Sequence, residues 1–243
     1  MTNKLNILIP AAGTGSRFKI DGYTDIKPMI KIGDKTMIEL AINSLQLSGQ
    51  FIFVVNKGNG QLEELVSEIK RVVPDAIIIE IDYLTEGPAS TALLASEYID
   101  NDTPLVIANC DQIMEWGENE FSDAIFNTDK DGLVVTYNVV TEKNSYVKID
   151  ENGNAVMFAE KQIISEHSLN GIHFWKKGSD FVLSTKQMIE KNIRYNNEFY
   201  VSQTYNELIE LGKKIGIYEI PTNKHWAVGT PSDLKLYLDH ANL

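Results

Sequence analysis

The chain has 243 residues, 43% of them hydrophobic, and a formal net charge of −12. That length and apolar share suffice to bury a full core, and the acidic balance argues against general nucleic-acid binding, which needs a basic face. No apolar run approaches the ~20 residues that cross a bilayer, the four residues before strand-like sequence leave no room for a signal peptide, and a single Cys110 excludes an intrachain disulfide. A cytoplasmic protein without membrane or nucleic-acid partners is expected.

The first strand-like run, 5–9, is rich in Ile and Leu and is expected to break at Pro10 into a loop of small residues, Pro10-Ala11-Ala12-Gly13-Thr14-Gly15-Ser16-Arg17. Gly13 and Gly15 can adopt backbone angles closed to other residues. Successive N–H groups in such a loop form a donor cluster suited to phosphate oxygens, and Arg17 adds a planar fork of donors. The pattern is neither of the two commonest phosphate loops: Phe18 stands where GxGxxG needs its third glycine, and GxxxxGK[ST] is absent. Residues 16–35 hold Arg17, Lys19, Lys27, Lys31 and Lys35 against Asp21, Asp25 and Asp34, a local positive excess on an acidic chain.

Helical spacing follows at 36–48, 60–73 and 87–99, alternating with strand-like runs at 51–56, 76–82 and 104–109. That alternation implies right-handed crossovers and a parallel sheet, whose ligands bind beyond the carboxyl ends of the strands. Both the Gly13 loop and Asp111 fall there. A carboxylate at Asp111 can hold Mg2+ together with phosphate oxygens, or can simply cap a turn. Glu86-Gly87-Pro88 opens a helix, either as an acidic start matched to the helix dipole or as backbone against which a flat base can lie.

After residue 130 the grammar changes. Runs at 132–138, 146–150, 154–160 and 169–175 read as short strands, with a hairpin turn at Glu151-Asn152-Gly153-Asn154. Helices are expected at 178–192 and 199–211, a strand at 214–220, and a last helix from Pro231 with Thr230 as N-cap. Glu160-Lys161 ends a strand, where it can be a surface ion pair or a phosphate-binding cation beside a hydrogen-bonding carboxylate. His167, His173, His225 and His240 make no metal-ligand spacing, and Cys110 reads as a small buried hydrophobe.

Pro10–Phe18 with Lys27-Pro28-Met29-Ile30 resembles the signature of the nucleotidyltransferases that make NDP-sugars and related CDP-compounds. The similarity continues through Thr85–Thr91, Ile107–Gln112, Glu160-Lys161, Asn170-Gly171, Glu198–Val201 and Gly229–Pro231, so it spans nearly the whole chain. It is greatest to the branch serving capsule and surface-polysaccharide biosynthesis, in which CTP:phosphoglutamine cytidylyltransferase is one activity. The resemblance implies an α/β, single-domain, Rossmann-like three-layer sandwich over 1–243, with a mixed, mostly parallel sheet of the GT-A-like nucleotidyltransferase type. Residues 1–130 would bind nucleotide and 131–243 the acceptor.

By the same resemblance, Pro10, Ala11, Ala12, Gly13, Gly15, Ser16, Arg17 and Lys27 meet the triphosphate, and Glu86, Gly87 and Ser90 lie near the base. Asp111 holds Mg2+, while Glu160, Lys161, Asn170 and Gly171 hold a phosphorylated acceptor. Many relatives carry a second acidic metal ligand where this chain has Ala227, which puts two-carboxylate metal binding in doubt. The expected reaction joins an NTP, with CTP the leading choice, to phosphoglutamine or a sugar phosphate, with Arg17, Lys27 and Lys161 as catalytic cations. A GT-A-type glycosyltransferase is the rival, but its usual pair of nearby Asp residues is missing after the fourth strand, where only Asp111-Gln112 stands. Acceptor identity and oligomeric state, including homo-oligomer formation, stay open.

Overall fold

A computed structural model of the protein describes residues 4–243. In its first half the strands are β1 (Asn6–Ala11), the short β2 (Lys31–Ile32) and β3 (Lys35–Thr36), β4 (Gln50–Asn56), β5 (Ile77–Ile81), β6 (Leu105–Ala108) and β7 (Gln112–Met114). The helices among them are α1 (Ser16–Ile20), α2 (Met37–Leu45), α3 (Leu62–Val72), α4 (Pro88–Leu93), α5 (Ser96–Ile99) and α6 (Glu120–Asn127). Then follow β8 (Gly132–Tyr137), β9 (Ser145–Ile149), β10 (Ala155–Glu160), β11 (Ser168–Trp175), α7 (Gly178–Glu190), α8 (Thr204–Glu210), β12 (Ile215–Glu219), β13 (His225–Ala227) and α9 (Pro231–Ala241).

Among the described residues nine strands form the main sheet, in the order β10-β9-β11-β6-β1-β4-β5, with β8 beside β11 and β12 beside β8. The central run β6-β1-β4-β5 is parallel throughout. Beyond β6 the ladder turns antiparallel, β11 pairing that way with β6, β8 and β9. Alternate residues of β1 and β4 point to opposite faces, as the pleat requires. Ile7, Ile9, Phe51 and Phe53 pack with Ile38, Leu65 and Phe121 of α2, α3 and α6. Leu8, Ile52 and Val54 pack with Ala89, Ile99, Phe181 and Tyr205 of α4, α5, α7 and α8. Helices thus cover both faces, and the three-layer α/β sandwich with a mostly parallel central sheet is as expected. The chain leaves β1 toward β4 and β5 on one side and returns to β6 on the other, so the crevice between the ends of β1 and β6 is the topological switch point.

Five local expectations are corrected. Pro10 does not break β1, which runs on through Ala11. Asn6 directs its N–H to Pro104 O, and β1 pairs β6 only over Asn6–Leu8. Pro10, in phase with Asn6, therefore turns its missing N–H to the side where β6 has already ended. The helix expected at 87–99 splits into α4 and α5. Leu94 and Ala95 make tight three-residue bonds to Thr91 and Ala92, and the Ser96 hydroxyl takes Leu93 O. The helix expected at 199–211 begins late, as a 3-10 turn over Val201–Gln203, because Tyr200 is extended and Phe199 before it donates its N–H to Glu86 O. Fourth, the hairpin β2–β3, α1, β7, α6 and β13 were not anticipated: four are too short for a periodic signal, and α6 follows the turn-like Trp116-Gly117. Finally, Gly13 keeps an ordinary φ, and only Gly15 is left-handed.

Candidate active site

The loop after β1 is shaped by Gly15. Its φ of +60° favours glycine, and a Cβ there would stand 3.1 Å from Lys27 Cβ, so the two segments approach closely because no side chain intervenes. At Gly13 an added Cβ would meet nothing within 4 Å. Gly13, Ser16 and Arg17 are exposed and Ala12 is buried. Two side chains from the β4–α3 connection hold this region, and the sequence reading missed both. Asn59 Nδ2 donates to Gly13 O at 2.9 Å. Gln61 accepts from Ile26 N at 2.8 Å and donates to Asp25 Oδ1 at 2.9 Å, fixing the entry to Lys27.

Lys27 opens a 3-10 turn with Pro28 behind it, and its Nζ lies 2.7 Å from Asp111 Oδ2. Burial alone would lower the lysine pKa. The Asp111 carboxylate outweighs that and holds it above the ordinary lysine range, while the Arg17 guanidinium pulls the other way. Asp111 follows β6, as expected. Its backbone O accepts from Val228 N at 2.9 Å, and a Cβ on Gly229 would come within 2.6 Å of its Oδ2. Ala227 pairs with Gln112, so the position of the doubtful second acid is adjacent to Asp111 and offers only a methyl group. Among the described residues no group of three or more His, Cys, Asp and Glu is placed to hold a metal ion. Burial pushes the Cys110 thiol pKa up, in keeping with an inert core residue.

Gly87 caps α4 with Pro88 in its first turn and φ of +121°. A Cβ there would lie 2.6 Å from Phe199 N and 2.7 Å from Phe199 O. The need for glycine is therefore set by the 198–199 backbone, which Glu86 O and Ala89 N bind at 2.7 and 3.0 Å. Glu86 carries an ion pair to Arg194 at 2.9 Å, and Ser90 is half-buried in the first turn of α4.

On the far side, Glu160 ends β10 and is 5% exposed, with Ser145 and Ser202 hydroxyls donating to its Oε2. Burial raises its pKa against the opposing pull of Ser145 and Lys161. Lys161 follows with a left-handed φ of +52°. Its Nζ donates to Tyr200 Oη at 3.2 Å and sits 5.4 and 5.2 Å from the Tyr195 and Tyr200 ring centres. Asn170 is 2% exposed, its Oδ1 accepts from Ile172 N and its Nδ2 faces Met114 Sδ. Gly171 takes φ of +94°, and a Cβ there would lie 2.2 Å from Asn109 Nδ2.

A family model described as the MobA-like NTP transferase domain matches residues 7–138, more than half of the chain. The chain belongs to that family. Its matched span carries the Gly15 loop, Lys27 and Asp111, so the transferase domain and the switch-point crevice coincide. Across a longer stretch the chain is 24% identical to the bifunctional protein GlmU of Lactobacillus gasseri, over 88% of this chain and 46% of that protein. The chain thus spans about half the length of the curated relatives it matches. The fold is shared with a nucleoside-diphosphate-sugar pyrophosphorylase from Vibrio cholerae RC9, at TM-score 0.83 and 23% identity over 96% of this chain and 99% of that one. It is also shared with the inositol-1-phosphate CTP transferase from T. maritima, at TM-score 0.76 and 14% identity over 97% and 94%.

Within this NTP transferase domain the structure brings Gly15, Lys27 and Asp111 together, and groups Glu86 and Gly87 with the segment 194–200. Pro10 and Ala11 belong to the strand rather than the loop. Arg194 and Tyr195 were also missed from sequence, although the Asn196-Asn197 pair is a hairpin-turn signal, and Tyr200, inside the resembling stretch Glu198–Val201, was given no role. No helix among the described residues is long and apolar enough to cross a membrane.

Proposed function

We propose that this chain condenses an NTP, with CTP the leading choice, with a phosphorylated small molecule to give a nucleoside-diphosphate product and pyrophosphate. The observation that carries this reading is the separation of two cations: Lys27 beside Asp111 at the switch point, and Lys161 at the end of β10. One suits the nucleotide phosphates and the other the acceptor phosphate. An acceptor oxygen attacks the α-phosphorus, the bond from that phosphorus to the bridging oxygen breaks, and pyrophosphate departs with the electron pair. A phosphate monoester is largely dianionic at neutral pH, its second pKa being near ~6, so no activating base is needed. The chain's tasks are alignment and charge neutralisation. Arg17 would meet the leaving pyrophosphate, and Lys27 and Lys161 would bring the reacting phosphates together.

Mg2+ takes one or two carboxylates and completes its shell with substrate phosphates, so a single Asp111 suffices as the protein ligand. When bound there it would offset phosphate charge. The assignment of Glu86, Gly87 and Ser90 to the base, and of Glu160, Lys161 and Gly171 to the acceptor, rests on the family resemblance and on their positions around the crevice. CTP and an acceptor such as phosphoglutamine, in capsule or surface-polysaccharide synthesis, are favoured by resemblance to that branch. Pyrophosphate release from a panel of NTPs and phosphorylated acceptors, with NDP-sugar hydrolysis as control, tests the reading. CTP is expected to outperform UTP, dTTP and GTP. A panel that releases no pyrophosphate while NDP-sugars are consumed would favour a glycosyltransferase instead.

A further inference from the structure

The segment Arg194–Tyr200 is absorbed by neither strand nor helix, yet it is tightly built. Tyr195 and Glu198 exchange both backbone hydrogen bonds at 3.0 Å, and Asn196 and Asn197 between them have φ of +47° and +64°. This is a two-residue hairpin of the type that asparagine favours. One of its ends is fastened to the base loop. Arg194 pairs with Glu86 at 2.9 Å, its guanidinium lies 4.0 Å from the Phe199 ring centre, and Phe199 bonds Glu86 and Ala89 through its backbone.

Its other end faces Lys161. The ammonium lies near the Tyr195 and Tyr200 rings, and Tyr200 Oη, having accepted from Lys161, donates to Glu198 Oε2 at 2.7 Å. Among the described residues no carboxylate comes within ion-pair distance of this ammonium. Aromatic faces attract a cation through their quadrupole without taking up its N–H donors. Such a seat fixes where the charge is and leaves donors for an anion, whereas a carboxylate would neutralise it. The left-handed backbone of Lys161, tied by its own N–H to Asn144 O at 3.0 Å, aims the side chain into that seat.

We propose that Tyr195 and Tyr200 are positioning residues that hold the Lys161 ammonium ready for a phosphate, and that the Arg194–Glu86 pair couples this seat to the nucleotide-base loop. The function of the seat rests on the reading of Lys161 as the acceptor's cation, but its existence does not. Selective amine acylation of the whole protein, read at Lys161 by peptide mass spectrometry against the exposed Lys186, tests the seat without any substrate. Tyr195→Leu and Tyr200→Leu should raise Lys161 labelling several-fold. Tyr195→Phe keeps the ring and should match wild type, and Tyr200→Phe should fall between. Arg194→Gln should raise it too, although Arg194 does not touch Lys161. Unchanged labelling in both leucine variants, or a Tyr195→Phe effect as large as that of leucine, overturns the seat.

With whichever NTP and acceptor release pyrophosphate, Tyr195→Leu should cut kcat/KM for the acceptor about tenfold while the affinity for that NTP alone stays within about twofold. Equal losses for both substrates would overturn the division of labour. If no pair reacts, the functional reading fails while the labelling result still decides the seat.

Discussion

The two ends of the crevice are built by different means. At the end proposed for the nucleotide, a glycine turn and a 3-10 turn bring main chain and Lys27 to the mouth of β1 and β6, and the parts are exposed or half-exposed. At the end proposed for the acceptor, Glu160 is almost wholly buried among hydroxyls and Lys161 is seated on two tyrosines. The first is a loop architecture that leaves backbone donors to a ligand. The second is a side-chain architecture, in which antiparallel strands and a hairpin supply the contacts. The first should therefore break by loss of charge, and the second by loss of packing.

The largest effect is expected at the nucleotide end. Asp111→Asn should leave the fold intact and remove most turnover, since a metal contact contributes several kcal/mol in the transition state. Steady-state rates at saturating Mg2+ check this, and wild-type turnover would dismiss Asp111 as the ligand. Arg17→Ala and Lys27→Ala should each lower turnover by about a hundredfold or more, the scale for removing a charged donor from a developing anion. Arg17→Lys should rescue poorly because a point charge lacks the planar fork. Full activity in Arg17→Lys would mean that charge alone matters there.

How much of this was legible in the sequence follows the same division. The parallel half announces itself because buried strands are unbroken apolar runs and its helices keep a regular period. Asp111 and Lys27 could be singled out, but their contact could not, since 84 residues separate them. Gly87 could be singled out, but nothing local reveals that Phe199 backbone fills the place of its Cβ. That β11 turns the Asn170 amide inward is likewise not visible in the sequence. The aromatic seat was invisible because it joins a strand end to a hairpin 39 residues on.

Glycine substitutions sharpen the contrast between open loop and packed wall. Gly87→Ala puts a Cβ 2.6 Å from backbone that α4 and Glu86 hold in place, at a φ that disfavours alanine. A loss of about 3 kcal/mol or more is expected, combining strain and overpacking. Gly13→Ala should cost stability little, because its Cβ meets nothing within 4 Å. Any fall in NTP binding there would report contact with ligand rather than folding. Chemical denaturation of both variants separates these outcomes, and equal destabilisation would remove the distinction between open loop and packed wall.

The smallest effect concerns the wall behind the acceptor end. His173 on β11 is 6% exposed, packed 6.0 Å from Trp175 and 5.8 Å from Tyr205, and its Nδ1 has no hydrogen-bond partner. Burial lowers its pKa to about 3 from an ordinary 6.5. A base depressed by folding stabilises the native state above its unfolded pKa, and that stability drains away as pH falls from about 6.5 toward about 3. Only the unfolded chain takes up the proton over most of that window. From pH 7 to pH 5 this one group should cost about 2 kcal/mol. His173→Leu removes both the titration and an unpartnered polar atom, and the packing change can shift stability at pH 7 in either direction. The diagnostic is therefore the slope, not the intercept. His225, lowered by burial to about 4, titrates with the same sign in both proteins and cancels in the comparison. Urea denaturation at pH 7, 6 and 5 should show the variant losing less stability than wild type on acidification. Parallel curves would mean that His173 is solvated or partnered in solution, and that the wall is less dry than the side-chain architecture of this end requires.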